Sequence, residues 1–427
     1  MPIAAKPSID AFAAAALAAQ GKTQVEISAA LGLSQSAVSR LLGGVQDYIR
    51  IERTFDWKRL APSIQQEVQR RMSHREIGDR VARYAEEYKQ PAPTVHVVPM
   101  GEANDMSQKF EAFAAPAAMV LRDLLEEVSG RVGVAWGSTL WHTTQALRSV
   151  LPQRPLRQRV PIEFVPLCGD PLIDSEQRYA DRTSSRIVSE LNKAVNGEKR
   201  RPAWLGLVPA FIPRDFRKPN EIRVIDRLID LVPQYSKIFG PRSKPSNPKS
   251  APLVADLHMI ITAAGSSEHP LGFGSNPLLG LTKEESEELA QHIHGDIGGV
   301  LLTRSTGVPG KSGDGPPLHP LVRDLTRRWT GLTIEHLKAC STRAFSERNQ
   351  SRPGVTLLCF GENHREVVLE AIRRGLANHL IIGSDLEGAM AKVLPQAPAE
   401  GAVRKLPRGL AALARSAEFV RALESPE

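Results

Sequence analysis

The segment VGVAWGSTLW, residues 132–141, carries an apolar run into Gly137, Ser138 and Thr139. A buried strand that breaks at a glycine and passes into a helix is how α/β proteins offer backbone N–H groups and hydroxyls to an anion or a sugar. Two further apolar runs end in comparable sets, Gly265-Ser266-Ser267 and Gly383-Ser384-Asp385. The string HIHGD, residues 292–296, has the residue types of a zinc site in His292, His294 and Asp296, but no further ligand group is evident in the sequence. The two histidines read better as the end of a helix, where the C-terminal dipole favours them, so no metal ligand is assigned and no cofactor is expected. GVPGKS at 307–312 lacks the two glycines, four residues apart, that precede the lysine of a nucleotide P-loop. Trp136 and His258 sit in apolar strand text and are read as core, His258 as a satisfied buried histidine. Trp141 and His142 are equally compatible with reaching the pocket and with packing beneath it.

The elements that must position these residues alternate. Strand candidates VHVVP, VGVAW, IEFVP, WLGLV, LVADLHMIITAA, VTLLCF and HLIIG are separated by helical patterns, among them 107–128, 138–149, 184–194, 283–292 and 364–374. That order predicts an α/β domain with a mainly parallel sheet covered by helices. Ligands of such domains collect at the carboxyl ends of the strands, where all three glycine and hydroxyl sets fall. Two segments rich in Pro, Gly, Ser and Lys, 239–252 and 305–317, read as mobile surface loops.

The chain begins differently. In GKTQVEISAALGLSQSAVSRLLGGV, residues 21–45, Thr23 and Glu26 have capping-box spacing, so a helix starts after Thr23 with Val25, Ile27 and Leu31 as its buried side. Gly32 permits a tight turn, Leu33 packs back, and Ser34 caps a second helix. In that helix Val38, Leu41 and Leu42 share one face, which turns Gln35, Ser36, Ser39 and Arg40 outward. Short polar side chains and an arginine on an exposed second helix are what a helix-turn-helix offers to base edges and phosphates. With Lys22 and Thr23 at the start of the first helix, these are the expected DNA contacts. IDAFAAAALAAQ, residues 9–20, is the expected supporting helix. The alternative is an ordinary helical hairpin.

Three domains follow: a helix-turn-helix domain at 1–55, which ends on a short strand candidate, YIRIERTF, a helical linker at 56–94, and an effector-binding domain at 95–427. The charged helical text of the linker, such as REIGDRVARYAEEYKQ, suits a joint or a subunit contact. The tail from about 395 is expected on the surface or in an oligomer contact. A length of 427 residues provides for several domains, and a formal charge of +8 allows an anionic partner. Residues 1–60 carry only a small basic surplus, so tight DNA binding would need two or more copies. Three widely spaced cysteines, Cys168, Cys340 and Cys359, argue against a disulfide framework. No signal peptide or membrane helix is read, so a cytoplasmic location without a membrane partner is expected.

A terminal helix-turn-helix, a linker, and then VGVAWGSTL, FVPLCGD, ITAAGSS, HGDIGG and RGLANHLIIGSD in that order resemble the SorC family of bacterial transcriptional regulators, from about residue 9 to 394. The resemblance implies a large domain with the fold of glucosamine-6-phosphate deaminase and ribose-5-phosphate isomerase that serves as a sensor of sugars or sugar phosphates. It also implies a homo-oligomer, commonly a tetramer, on operator DNA. Carried over by motif, Gly137, Ser138 and Thr139 would cradle a phosphate or its equivalent, Asp296 would accept hydrogen bonds from sugar hydroxyls, and Gly265 and Ser266 would line the pocket. Gly169 of FVPLCGD and His364 of GENHREVV belong to the same expected effector site. His364, with Arg365 beside it, stands where relatives often have a lysine, and Cys168 where some have an arginine. Fewer fixed cations weaken the grip on a phosphate dianion, which leaves a neutral sugar or polyol as a serious candidate. Arg178, Arg182 and Arg186 could compensate but read better as a solvated helix face.

An isomerase or deaminase with an accessory DNA-binding end would need a base and an acid at the sugar, with Asp296 as base and His292 or His294 as its partner. A sensor needs only different ligand affinities in two arrangements. Attachment of the pocket to a DNA-reading helix pair favours the sensor, a non-enzyme regulator of a carbohydrate or polyol operon.

Overall fold

The computed structural model describes residues 8–19, 22–43, 45, 76–101, 103, 105–157, 161–170, 182–197, 202–203, 205, 208–216, 219–243, 251–268, 279–304, 318–346 and 351–395. The chain divides into two compact units, one of residues 1–76 with 396–427 and one of residues 77–395. The strand candidate at 48–55, the loop at 305–317 with its GKS string, Arg178 and the tail beyond Pro395 lie outside the described residues.

In the first unit three helices are described: α1 (Ile9–Ala19), α2 (Gln24–Leu31) and α3 (Gln35–Gly43). Both bonds of the capping box form: Glu26 N–H donates to Thr23 Oγ1 and Thr23 N–H to Glu26 Oε2. Those bonds hold the Glu26 carboxyl below its usual range. Gly32 ends α2 at φ +67°, in the left-handed region where glycine meets no Cβ penalty. Ser34 Oγ then accepts from Ala37 N–H at 3.2 Å and starts α3. Ile27 and Val38 are buried with Ala14 beneath Leu17, Leu31, Leu33 and Leu42, while a second cluster joins Ile9, Phe12 and Val45. Val25 departs from expectation and is 53% exposed. Two residues from Ile27 is about 200° around a helix, so the two cannot share a face.

In the second unit, helical residues 77–87 (α4) lead to a sheet built from β1 (Thr94–Val98), β2 (Arg131–Val134), β3 (Glu163–Pro166), β4 (Met259–Ser266), β7 (Gly354–Cys359) and β8 (His379–Gly383). Their order is β1-β8-β7-β4-β2-β3, and every neighbour is parallel. The fold is thus α/β with a mainly parallel sheet. Alternate strand residues face two cores. Val132, Val134, Met259, Ile261, Leu358 and Ile381 pack with α5 (Met106–Glu126), α6 (Ser138–Val150), α7 (Ser184–Asn196) and α11 (Pro320–Arg328). On the other face Ile260, Leu357, Leu380 and Ile382 pack with α4, α8 (Pro219–Asp230), α9 (Pro233–Phe239), α12 (Ile334–Ser346), α13 (Arg365–Arg373) and α14 (Ser384–Ala391). No helix among the described residues is long and apolar enough to cross a membrane.

Several segments correct the sequence reading. The outer end of β4, Ala264–Ser266, pairs antiparallel with β5 (Ile293–Ile297), which turns back as β6 (Val300–Thr303). His292 ends α10 (Lys283–His292) as expected, but His294 lies on β5 rather than at a helix end. A four-residue 3-10 turn, Leu253–Asp256, replaces the first part of the LVADLHMIITAA strand. Leu205 and Val208 of WLGLV are not in a strand, and the segment after them forms two isolated bridges, Pro209 to Asp170 and Phe211 to Trp329. The loop expected from 239 begins pinned, since Arg242 Nε donates to Asp226 and its Nη1 to the Trp329 carbonyl.

Candidate effector site at the strand ends

The end of β2 is shaped by its neighbours before any ligand arrives. Ser184 Oγ donates to Val134 O and accepts from Leu167 N–H, so one buried hydroxyl bridges β2 and β3 just where they separate. This fixes the start of α7, and with it Arg182. Gly137 N–H donates to the Arg182 carbonyl at 3.1 Å, and Arg182 Nη1 donates to Ser138 Oγ at 2.6 Å. Gly137 stands at φ +121° as the N-cap of α6 and supplies no side-chain cap. The positive end of a helix, two half-buried hydroxyls on Ser138 and Thr139, and a guanidinium therefore meet at one turn. Arg182 is not on a solvated helix face, which corrects the sequence reading. Its cue was its place just before Thr183-Ser184-Ser185, an N-cap string that had to dock against the strands.

At the end of β4, Gly265 and Ser266 lie against β5. A Cβ at Gly265 would fall 2.2 Å from Asp296 Oδ2, so glycine alone lets the carboxylate approach the strand. Asp296 is 4% exposed and its Oδ1 accepts from Gly299 N–H at 2.9 Å. The turn after it needs Gly298 at φ +57°, where a side chain would strike Thr262 Oγ1 and the Ala135 methyl. Asp296 is in this way carried on a hairpin laid across the ends of β4 and β2.

Next along the sheet, Asn363 Nδ2 donates to Ser266 Oγ at 3.2 Å, and the following residue is His364. Burial lowers the pKa of the His364 ring, and its Nδ1 is buried without a hydrogen-bond partner. Asn363 was missed, since no local pattern singles it out. Gly137, Ser138, Thr139, Gly265, Ser266, Asp296 and His364 all lie at the carboxyl end of the sheet. Gly169 follows the end of β3, but a Cβ on it would lie 2.2 Å from Val208 O and 2.9 Å from Pro209 O, so the backbone of 208–209 packs directly on it. Beside it the Cys168 thiol is buried and pushed up by burial, which makes it inert. Gly383-Ser384-Asp385 is spent on structure, as Ser384 Oγ accepts from Met100 N–H and Asp385 from Gly361 N–H.

His142 stacks on Phe110 with ring centroids 4.7 Å apart, and burial together with Arg182 lowers its pKa. Trp141 is half-buried against the core, and Trp136 is buried. His258 is half-buried at the amino end of β4, its ring against Gly130, rather than inside a strand. In the first unit Gln35, Ser36, Ser39 and Arg40 are all exposed on α3, as is Lys22, which pairs with Glu26 at 3.6 Å. The Thr23 hydroxyl is engaged by Glu26.

No family model matches the chain, and no curated protein matches it. Among solved structures it is similar to a DeoR family transcriptional regulator from Listeria monocytogenes, at 17% identity over 73% of this chain and 98% of that one, with a TM-score of 0.48. It is also similar to the full-length sorbitol operon regulator SorC from Klebsiella pneumoniae, at 16% identity over 89% of this chain and 97% of that one, TM-score 0.48. A third similarity is to a domain of a possible sugar-binding transcriptional regulator from Arthrobacter aurescens TC1, at 18% identity over 74% of this chain and 97% of that one, TM-score 0.46.

Proposed function

We propose that the chain is a DNA-binding transcriptional regulator, not an enzyme, of a carbohydrate or polyol operon. Its effector is a sugar, sugar phosphate or polyol bound at the carboxyl end of the sheet. The observation that carries the reading is the first unit, three helices around Ile27 and Val38, the second and third of them capped, with Gln35, Ser36, Ser39 and Arg40 all exposed on the last. Gly137, Ser138, Thr139 and Arg182 receive the anionic or most polar part of the effector, and Asp296 accepts hydrogen bonds from its hydroxyls. Arg182 restores a cation where Cys168 supplies none, which favours a phosphorylated effector over a neutral one. The histidines considered as acids are engaged elsewhere, His292 with His319 and His294 with Glu366 and Glu370, which favours sensing over turnover. The working form is a homo-oligomer, because one helix pair holds few phosphates, and a tetramer is what the resemblance to the SorC family implies; effector binding alters the spacing of the recognition helices.

The test is fluorescence anisotropy of the full chain on DNA from upstream of its own gene and its neighbours, with a panel of sugars, polyols and their phosphates. Specific binding that one compound alters is expected. Absence of specific binding at moderate salt with every compound would overturn the reading, as would formation of product from any of them.

A further inference from the structure

The string HIHGD comes apart in the fold. His294, on β5, turns to Glu366 and Glu370 of α13, whereas His292 remains the last residue of α10. There it meets His319, the N-cap of α11: the two imidazoles stack with centroids 3.8 Å apart and planes within 10°. Glu288, one helical turn before His292 on the same face, completes the group, with Oε1 3.1 Å from His319 Nε2. One ligand atom from each of the three residues lies within 4.8 Å of the others. His319 Nδ1 is buried and has no hydrogen-bond partner, so the ring loses no bond at that atom when it turns.

We propose that Glu288, His292 and His319 form a binding site for a borderline first-row divalent cation, zinc foremost. Two imidazole nitrogens and one carboxylate oxygen are a ligand set that zinc takes at about 2.0–2.2 Å, with water in the fourth position. Ligand atoms of a tetrahedron with such bonds stand about 3.4 Å apart, within the spread of this group, so pivoting of the rings suffices. Calcium and magnesium prefer oxygen and are disfavoured by the imidazoles. The carbonyl end of α10 adds negative potential beside His292, and the exposed Glu288 leaves the ion a path from solvent. A bound ion ties the end of α10 to the start of α11. It would do so at the residue preceding β5, the strand that carries Asp296.

The experiment uses the full-length protein, stripped with a chelator and dialysed against zinc, with bound metal counted by mass spectrometry. Cobalt(II) is added to a second sample as a spectroscopic probe. One zinc per chain is expected, with visible cobalt bands of a four- or five-coordinate ion rather than of the aquo ion. His292→Ala and His319→Ala should each weaken zinc by roughly tenfold or more, whereas His294→Ala should not. Because Glu288 is exposed, Glu288→Gln keeps the fold and should also weaken zinc, which reads the site even where a histidine variant fails to fold. Metal uptake no greater than that of the His292→Ala/His319→Ala double variant, or a cobalt spectrum of the aquo type, would overturn the proposal.

Discussion

The approach of Asp296 to Gly265 can be broken by a single methyl group. In Gly265→Ala the new Cβ would lie 2.2 Å from Asp296 Oδ2 and 3.1 Å from its Cγ, while real Cβ atoms essentially never come under 3.0 Å. The carboxylate must retreat by about 1 Å to reach an ordinary contact. Its Oδ1 is held by Gly299 N–H, and a hydrogen bond to a charged group is worth about 1.5–3 kcal/mol. Overpacking of a buried site costs a similar amount, so Gly265→Ala should destabilise the large unit by about 1–3 kcal/mol. The same substitution in an Asp296→Ala background has no carboxylate to displace and should cost under about 0.5 kcal/mol, a difference that a double-mutant cycle isolates. Urea unfolding followed by tryptophan fluorescence reads this, because Trp136, Trp141 and Trp329 belong to that unit. Equal costs in the two backgrounds would refute the reasoning. Gly169→Ala serves as a contrast: its clash is with the Val208 carbonyl, so its cost should not depend on Asp296.

Arg40→Ala should lower operator affinity by about tenfold if the side chain reaches a base edge, with effector binding unchanged; anisotropy that matches wild type would remove Arg40 from the DNA surface. Arg182→Ala should weaken a phosphorylated effector by on the order of 10–100-fold, the worth of one charge-assisted bond, and its unphosphorylated counterpart far less; calorimetry showing equal losses would take Arg182 away from the anion. Burial pushes His379, stacked beside His96, down to about 4 from an ordinary 6.5. The folded state thus keeps the ring neutral while the unfolded chain takes a proton, so stability is level above pH 6.5 and falls as pH drops towards 4. The wild type should lose on the order of 3 kcal/mol across that window relative to His379→Leu, and parallel pH profiles for the two would exclude His379 as the source.

What could be read in advance was local. The cap of α2 needs Thr23 and Glu26 three residues apart, and the turn needs Gly32, so both were legible without a tertiary contact. The parallel strands were legible as apolar runs because each is buried on both faces. The β5–β6 hairpin was not, as Gly295, Gly298 and Gly299 erase the period of its short strands and only the end of β4 gives it a partner. His294 was misplaced for the same reason: the dipole reading assumed a helix that β4 had already claimed as strand.

By itself the sequence determined the two kinds of domain and most of the residues at the strand ends, because caps, glycine turns and apolar periodicity act over a few neighbouring residues. Only the tertiary structure decided which of those residues lie together. It delivered Arg182 to Ser138 through the buried Ser184 hydroxyl, set Asp296 against Gly265, packed residues 208–209 on Gly169, and paired His292 with His319 instead of His294. Each of these contacts joins segments far apart in the chain, where packing and hydrogen bonding across the sheet, rather than local propensity, choose the neighbour.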